Sequence, residues 1–318
     1  MIAAAEVEKD RKNTVRLSCV ILNYNDAETT EKLVRLIADY ECLHQIIVVD
    51  NASTDDSLER LKQLEGQENC SQTKKIKILT AQKNGGYGSG NNTGVRYAVE
   101  KGGATHVLIA NPDVVFSEQS LKAMLAVFAR HPEVGIVTTR IHDARYPDLK
   151  NGWPLRSFTR ELLSMGPVSR RLFGRSFDYP DSYFQGRNAI YVGAVHGSML
   201  MVDGEKFLEA GGYDEGIFLY EEEQVLGRRM QQAGYRSVLL LNQHYDHEHS
   251  TSISKSFSDA MKRQKIREES TLYYMKKYLK IAPWQEHLAK LWFAGIRMEM
   301  RVAKYAGIQV HRQNVMCI

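Results

Sequence analysis

The first 140 residues of this 318-residue chain alternate between short apolar segments and amphipathic segments of helical period. The apolar segments predict strands, and the amphipathic segments predict helices. Strands that alternate with helices form βαβ units, in which the strands run parallel and the helices cover both faces of the sheet. The sequence therefore predicts an α/β fold with a mostly parallel central sheet flanked by helices. The predicted strands are 17–22, 45–49, 76–79, 106–110 and 135–139, and the predicted helices are 27–40, 53–64, 92–100 and 118–130.

The alternation stops after His142. Residues 143–190 are rich in Arg, Tyr, Pro, Gly and Ser, and we expect a long, partly ordered loop that serves as a lid or acceptor-side insertion. Strands resume at 198–202 and 238–241, with helices at 205–210 and 222–233. From Ser256 onward the pattern is helical, with a break near Pro283. We therefore expect an α/β domain over 1–255 and a helical C-terminal extension over 256–318.

The composition narrows the class of protein. A formal net charge of +4 gives no sign of nucleic-acid binding. No apolar run approaches the roughly 20 residues that span a bilayer, and the charged N-terminus has no signal-peptide core. The four cysteines lie far apart without a CxxC pair, so neither a zinc site nor a disulfide framework is indicated. A reducing, cytoplasmic setting is expected.

Two predicted strands end in a carboxylate. The segment 109–114 (IANPDV) presents Asp113 after a proline turn, and the segment 46–51 (IIVVDN) ends in Asp50. Ligands bind at the carboxyl ends of strands in open α/β sheets, and a carboxylate there suits Mg²⁺ or Mn²⁺ bound with a substrate phosphate. Simple turns and helix caps are the alternative, since Ser53 or Thr54 would cap the next helix. Capping does not account for Asp50.

The segment 83–91 (KNGGYGSGN) predicts a glycine loop before a helix. Glycines let backbone amides approach phosphate, and a helix N-terminus favours negative charge. The segment matches neither GxGxxG nor a P-loop, which weakens the dinucleotide and triphosphate interpretations. A tight turn without a ligand is the alternative.

Acidic and histidine clusters follow later in the chain. The segment 220–223 (YEEE) leads into a predicted helix, and the helix dipole favours acidic residues at that position. Repulsion among three adjacent carboxylates would also raise the pKa of one of them towards that of a general base. His244, His247 and His249 fall within six positions after a strand. Imidazole ligates Mn²⁺, so this cluster indicates a metal or diphosphate loop in which some of the histidines are structural.

Taken in this order, the motifs resemble a family-two glycosyltransferase with the GT-A fold, and most closely its bacterial rhamnosyltransferase-like branch. The resemblance spans about Leu17 to Ser252. Each motif is weak alone, whereas the ordered set is specific. The motifs are 20–25 (VILNYN), 48–55 (VVDNASTD), 84–91 (NGGYGSGN), 111–113 (NPD), 197–200 (GSML), 211–215 (GGYDE) and 220–223 (YEEE).

The resemblance implies roles for individual residues. Glu223 would be the catalytic base beside Glu222, although Val225 stands where the family has a further acid. Asn111 replaces the first acid of the family's DxD motif, which leaves Asp113 as its one carboxylate. Mg²⁺ or Mn²⁺ would lie at Asp113, His247 and His249. The acceptor side would include His196, Gly197 and Tyr220. The nucleotide-sugar site would include Asn23, Asn25, Asp50, Asn51, Lys83, Gly86, Asn91 and Asn111.

The implied activity is inverting transfer of a sugar, with rhamnose as the first candidate, from a dTDP- or UDP-sugar to a hydroxyl of a glycan or lipid-linked acceptor in cell-envelope polysaccharide synthesis. Basic and apolar residues mix in 143–190 and in 284–305, which suits peripheral contact with the inner face of the cell membrane. For the C-terminal helix, packing on the core or on another subunit of a homo-oligomer is favoured. A non-catalytic nucleotide-sugar-binding subunit and a sugar nucleotidyltransferase remain alternatives.

Overall fold

A computed structural model describes residues 15–69, 75–142, 150–247 and 260–305. The strands are β1 Leu17–Asn23, β2 Leu43–Asp50, β3 Ile76–Thr80, β4 His106–Ala110, β5 Val114–Val115, β6 Val134–His142, β7 Gly152–Trp153, β8 Ala189–Val192, β9 Ala194–Val195, β10 Met199–Asp203 and β11 Arg236–His247. They form a central nine-stranded sheet in the order β3-β2-β1-β4-β10-β6-β11-β5, with β8 also paired to β11, and a small two-stranded sheet of β7 and β9.

The described helices cover both faces of the sheet, as predicted. Two apolar clusters pack there, one on each face of β1, with alternate residues of this strand assigned to opposite clusters. The helices are α1 Ala27–Ile37, α2 Ser57–Asn69, α3 Gly86–Glu100, α4 Glu118–Arg130, α5 Phe158–Met165, α6 Pro167–Phe173, α7 Gly204–Glu209, α8 Glu222–Gln232, α9 Ala260–Lys277 and α10 Pro283–Tyr305.

The strand register brings the predicted site residues to one edge of the sheet. β1 and β2 run parallel, with Asn23 opposite Asp50 at their carboxyl ends. β4 runs parallel to β1, and antiparallel β10 begins at the end of β4, where Met199 lies opposite Ala110. Segments that follow β4 and precede β10 therefore meet at this edge. β11 reaches it as well, because His247 pairs with Val114.

Helix α3 begins earlier than predicted. The segment 86–91 is helical, although a loop was expected there with the helix starting near Asn92. Its glycines are explained by close packing. Gly86 has φ +87°, and a Cβ on it would lie 2.1 Å from the backbone oxygen of Phe218, while a Cβ on Gly94 would lie 2.4 Å from Val20. The glycines let α3 lie directly on β1 and on the loop before α8.

The insertion and the C-terminal helices share a core. The described part of 143–190 contains α5, α6 and short 3₁₀ turns, more regular structure than the expected loop. Leu162 and Met165 of α5 pack with Met275 of α9 and with Phe293 and Ile296 of α10. Among the residues described, no helix combines the length and apolar character needed to cross a bilayer.

Asp214 connects α9 to the body of the molecule. Its carboxylate accepts hydrogen bonds from Lys277 at 2.7 Å and Tyr278 at 2.6 Å, and Arg229 of α8 lies 3.6 Å away. The C-terminal helices are thereby fixed to the segment that contacts α3 and leads into α8.

Candidate active site

Asp50 is held in a fixed orientation at the end of β2. Its carboxylate accepts hydrogen bonds from the side chain of Asn23 at 2.9 Å and from the Ser53 hydroxyl at 2.6 Å and amide at 3.1 Å. Asn23 is fully buried, and its oxygen accepts a bond from Thr30. Asn23 therefore lies behind Asp50 and orients it. Ser53 donates hydrogen bonds to Asp50 and does not cap α2, because this helix begins at Ser57 and not at the predicted residue 53.

Asn25 and Asn51 border this carboxylate. Asn25 has φ +52° and bonds through its side chain to the amide and hydroxyl of Thr54. The side-chain Nδ2 of Asn51 donates to Asn84 Oδ1 at 3.0 Å and to the Gly86 carbonyl at 3.2 Å, while its buried Oδ1 has no hydrogen-bond partner. These contacts bring the ends of β1 and β2 together with the start of α3.

The other residues predicted around α3 differ in accessibility. Lys83 is exposed just before the helix. Asn91 is buried in its second turn and donates to the Tyr87 carbonyl at 3.1 Å. The first amides of α3 bond within the protein, that of Gly86 to Asn84 and that of Tyr87 to Phe218. These two amides are therefore not directed at a phosphate.

Asp113 and His247 lie side by side. His247 Nε2 is 3.4 Å from Asp113 Oδ1, with side-chain exposures of 5% and 11%. His247 belongs to β11, which continues beyond the predicted end at residue 241. His249 lies outside the described residues. Within the described ranges, no group of three or more His, Cys, Asp or Glu side chains is arranged to hold a metal ion.

Asn111 and His196 lie close to this pair. The Asn111 amide bonds to the Ser198 carbonyl at 2.8 Å, which fixes the NPD turn against the start of β10. The His196 ring lies 5.6 Å from the ring of His247. His196 Nδ1 accepts from the Ser198 amide at 3.1 Å, and the Ser198 hydroxyl in turn contacts the buried Tyr245 hydroxyl at 2.7 Å.

The backbone is strained immediately before α8. Tyr220 has φ +74° and Glu221 has φ +70°, which are left-handed conformations that side chains other than glycine rarely adopt. Each costs about 1–3 kcal/mol and persists where surrounding structure enforces it, often at functional sites. The strain turns the chain sharply, so that α8 starts with Glu222 and Glu223.

Glu223 approaches the edge of the sheet at Gly197. Burial raises the pKa of Glu223, while its own amide and that of Gly197, which donate to the carboxylate, oppose the rise. A Cβ on Gly197 would lie 3.2 Å from Glu223 Oε1. The Gly197 carbonyl accepts a 2.5 Å hydrogen bond from Tyr87 of α3. Tyr87 therefore holds the peptide segment that contacts Glu223.

The two neighbouring glutamates are less accessible than Glu223. Burial, with Glu223 adding repulsion, raises the pKa of Glu222, whose Oε1 is buried without a hydrogen bond. Burial and Glu161 raise the pKa of Glu221 to about 8, although Thr271 donates to it at 2.8 Å. Val225 lies in an apolar cluster with Ile217 and Tyr274, an environment that suits valine in place of the expected acid.

The structure adds contributors that sequence reasoning missed. Ser53, Thr30 and Tyr87 orient Asp50 and Gly197, but each is an ordinary polar residue in the sequence. Ser53 and Tyr87 carried a signal, because they lie within the motif 48–55 and the glycine-rich segment 83–91, although Ser53 was interpreted as a helix cap.

The architecture is the GT-A glycosyltransferase fold. One similar structure is the mannosyltransferase PcManGT from Pyrobaculum calidifontis in complex with GDP-Man and Mn²⁺, with a TM-score of 0.56 at 14% identity over 98% of this chain and 89% of that one. Another is GalNAc-T7 with UDP, GalNAc and Mn²⁺, with a TM-score of 0.55 at 15% identity over 74% of this chain and 44% of that one.

The chain belongs to glycosyl transferase family 2, whose sequence model matches residues 18–191, more than half of the chain. It is 28% identical over 208 residues to the N-acetylglucosaminyl-diphospho-decaprenol L-rhamnosyltransferase of Mycobacterium tuberculosis, over 61% of this chain and 62% of that protein. It is 26% identical to the low-salt glycan biosynthesis hexosyltransferase Agl10 of Haloferax volcanii, over 65% of this chain and 59% of that protein. The match thus spans about six-tenths of each relative.

Proposed function

We propose that this protein is an inverting glycosyltransferase that moves a sugar from a nucleotide donor to a hydroxyl of a glycan or lipid-linked acceptor. One observation carries the proposal: Glu223, whose pKa is raised, contacts the segment that leads into β10. This contact lies at the same edge of the sheet as Asp50 and Asp113. A base, a candidate nucleotide carboxylate and a candidate metal carboxylate are the groups this transfer requires.

Asp50 is the proposed nucleotide contact. A carboxylate accepts a hydrogen bond from the ring N–H of uracil or thymine, and the contacts with Asn23 and Ser53 hold Asp50 in place for that purpose. We therefore propose a dTDP- or UDP-sugar as donor. The similarity to a protein named an L-rhamnosyltransferase makes dTDP-rhamnose the first donor to test.

Asp113 and His247 fit a divalent cation such as Mg²⁺ or Mn²⁺. They are adjacent and largely buried, and they offer one oxygen and one imidazole nitrogen. These ions need few protein ligands when substrate phosphates complete their coordination. When bound, such an ion would neutralise charge on the departing diphosphate.

Glu223 performs the proton transfer in the proposed reaction. Its carboxylate takes the proton of the acceptor hydroxyl as that oxygen attacks the anomeric carbon, and the bond from this carbon to the diphosphate breaks on the opposite face. Burial raises the pKa of Glu223, which makes its carboxylate a stronger base than an exposed one. The proposed acceptor-side residues are His196, Gly197 and Tyr220, of which Gly197 contacts Glu223.

Replacement of Glu223 tests the proposal. We expect Glu223→Gln to lower kcat by about 10²–10⁴-fold, the usual contribution of a general base, while donor affinity is kept. The matched control is Glu205→Gln, the same substitution at an exposed position of α7, which should leave kcat unchanged. Full turnover by Glu223→Gln would refute the role of the base. A wild-type protein that binds donors but transfers no sugar to any acceptor would support the non-catalytic alternative.

A thermal-shift panel tests the donor class. Nucleotide sugars are added with and without Mn²⁺, and we expect stabilisation by dTDP- or UDP-sugars that increases with the ion. Asp113→Asn should remove the increase due to Mn²⁺ and leave the free protein folded. Stabilisation by NAD or ATP alone would contradict the proposed donor.

A further inference from the structure

Helix α10 has two apolar faces, of which one is exposed. Phe293, Ile296 and Ala289 face the core with α5 and α9. A second set of apolar side chains recurs at intervals of four, three, seven and four residues, which places them in one line along another side of the helix. This apolar stripe consists of Trp284 (65% exposed), Leu288 (43%), Leu291 (71%), Met298 (68%) and Val302 (57%).

The stripe lies in the most basic part of the chain. Residues 260–305 contain eleven Lys and Arg against four Asp and Glu, a net charge of +7, whereas the whole chain carries +4. The remainder of the protein is therefore net negative. An exposed apolar face within a strongly basic segment is complementary to a bilayer that contains anionic lipids, which accepts the apolar side chains and attracts the cations.

A second copy of this chain fits the stripe poorly. The residues of the stripe have the spacing of a coiled-coil seam, but Gly295 occupies one seam position and the bulky Trp284 another. These two residues prevent regular knobs-into-holes packing. A symmetric pair would also bring two segments of charge +7 together, and like charges across an interface oppose association.

A cleft opens beside the first turn of α10. Its volume is about 590 Å³, and the residues that line it include Arg156, Arg228, Leu279, Ile281 and Gln285, the last adjacent to Trp284 in the sequence. No Asp or Glu is present among the described residues that line it. Arg156 is 6% exposed and pairs with Glu161 at 3.4 Å, so the positive charge of the cleft comes from the partly exposed Arg228. A cleft with one such arginine and apolar side chains in its walls suits an anionic amphiphile, the chemistry of a lipid that carries a phosphate.

We propose that the apolar stripe of α10 docks this protein on an anionic lipid bilayer, with the cleft beside Trp284 turned towards the membrane. The part of this inference that concerns a lipid-linked acceptor rests on the proposed function, whereas bilayer binding does not. Docking at this face would deliver a membrane-anchored acceptor to the side of the molecule formed by α5, α8 and the junction of α9 and α10.

Vesicle co-sedimentation of the full chain tests the proposal. We expect binding to vesicles of equal parts phosphatidylcholine and phosphatidylglycerol, weak binding to phosphatidylcholine alone, and loss of binding at high salt. The double substitution Leu291→Glu and Met298→Glu should reduce the bound fraction about tenfold or more, because it places charges in the apolar face. Leu36→Glu, at a 44% exposed position of α1, is the matched control and should bind like the wild type.

Fluorescence of the wild-type protein gives a second readout that does not require the double variant to fold. Trp284 is exposed, whereas Trp153 is buried and Trp292 packs partly buried against the core shared with α5 and α9. Insertion should therefore shift the emission of Trp284 to shorter wavelength when anionic vesicles are added, and Trp284→Phe should remove the shift. Absence of vesicle binding by the wild type, or full binding by the double variant, overturns the proposal. So does a wild-type dimer that the double variant converts to a monomer. Failure to bind any nucleotide sugar would defeat the proposed function and leave these readouts unaffected.

Discussion

Three consecutive glutamates have the same side chain but lie in different chemical environments. Glu221, Glu222 and Glu223 are the same amino acid, yet each has different partners. The Thr271 hydroxyl donates a hydrogen bond to Glu221, Glu222 Oε1 is buried without a hydrogen bond, and the Gly197 amide donates to Glu223. Burial raises all three pKa values, but only Glu223 lies against the segment that leads into β10. Position thus distinguishes the proposed base from its neighbours.

Replacement of Tyr87 tests whether its hydroxyl positions the Gly197 peptide against Glu223. Tyr87→Phe removes the hydroxyl that holds the Gly197 carbonyl, so the Gly197 amide should align less well with Glu223. The hydrogen bond from that amide opposes the rise in the Glu223 pKa, so a weaker bond should raise this pKa further. The acid limb of the kcat–pH profile should then move to higher pH. We expect kcat to fall about tenfold with little change in donor KM. Tyr97→Phe, in the same helix, is the control. An unchanged acid limb would assign Tyr87 to packing alone.

At the scale of elements, α3 shows how packing overrides local propensity. A run with five glycines in eleven residues is a poor helix former, and the sequence accordingly indicated a loop. The helix forms because the glycines permit an approach to β1 and to the 213–218 segment that any side chain would prevent. The cost in helix propensity is offset by burial of the sheet face beneath it.

Gly94 tests this account. Gly94→Ala should destabilise the protein by about 1–3 kcal/mol, because the new Cβ would lie 2.4 Å from Val20, a β-branched side chain that cannot turn away. The matched control is Gly66→Ala in α2, where no atom lies within 4 Å of the added Cβ, and which should stabilise by up to about 1 kcal/mol. Urea unfolding of both variants measures the difference. A neutral Gly94→Ala would show that close packing does not explain these glycines.

At the scale of the whole molecule, the α/β domain and the C-terminal helices are joined by buried polar contacts as well as by an apolar core. Asp214 is central to this junction, because its carboxylate gathers donors from α9 while its chain neighbours contact α3. Burial alone would raise the pKa of Asp214, but the hydrogen bonds from Lys277 and Tyr278 outweigh it and lower the pKa to about 2.

Asp214→Asn should therefore lower the free energy of unfolding by about 1–2 kcal/mol at pH 7, somewhat less than the full value of the depressed pKa, because solvent screens part of the interaction. A depressed pKa contributes stability above the pKa of the unfolded state, so the deficit should shrink as pH falls from about 4 to 2. Urea unfolding at several pH values measures it. Asp181→Asn, whose carboxylate is 84% exposed, should change stability by less than about 0.5 kcal/mol. A deficit that persists at pH 2 would contradict this linkage.

The order of strands and helices in the first half was predicted from the sequence, with most helices and strands placed within a few residues. This is possible because hydrophobic periodicity records which face of each element is buried. The strand-end position of Asp50 and the turn position of Asp113 followed for the same reason. The early start of α3, the length of β11 and the helices of the insertion did not follow, because contacts from distant segments stabilise them.

The sequence alone determined the fold class, the family resemblance and the edge of the sheet at which the motifs meet, because each is encoded in local pattern and in order along the chain. Tertiary structure decided which side chains act on one another. The contact of Glu223 with Gly197 joins residues 26 positions apart, and that of Gly197 with Tyr87 joins residues 110 apart. Such pairs form only when the sheet is assembled, and assembly also buries Glu223, which raises a carboxylate pKa that composition and spacing leave undefined.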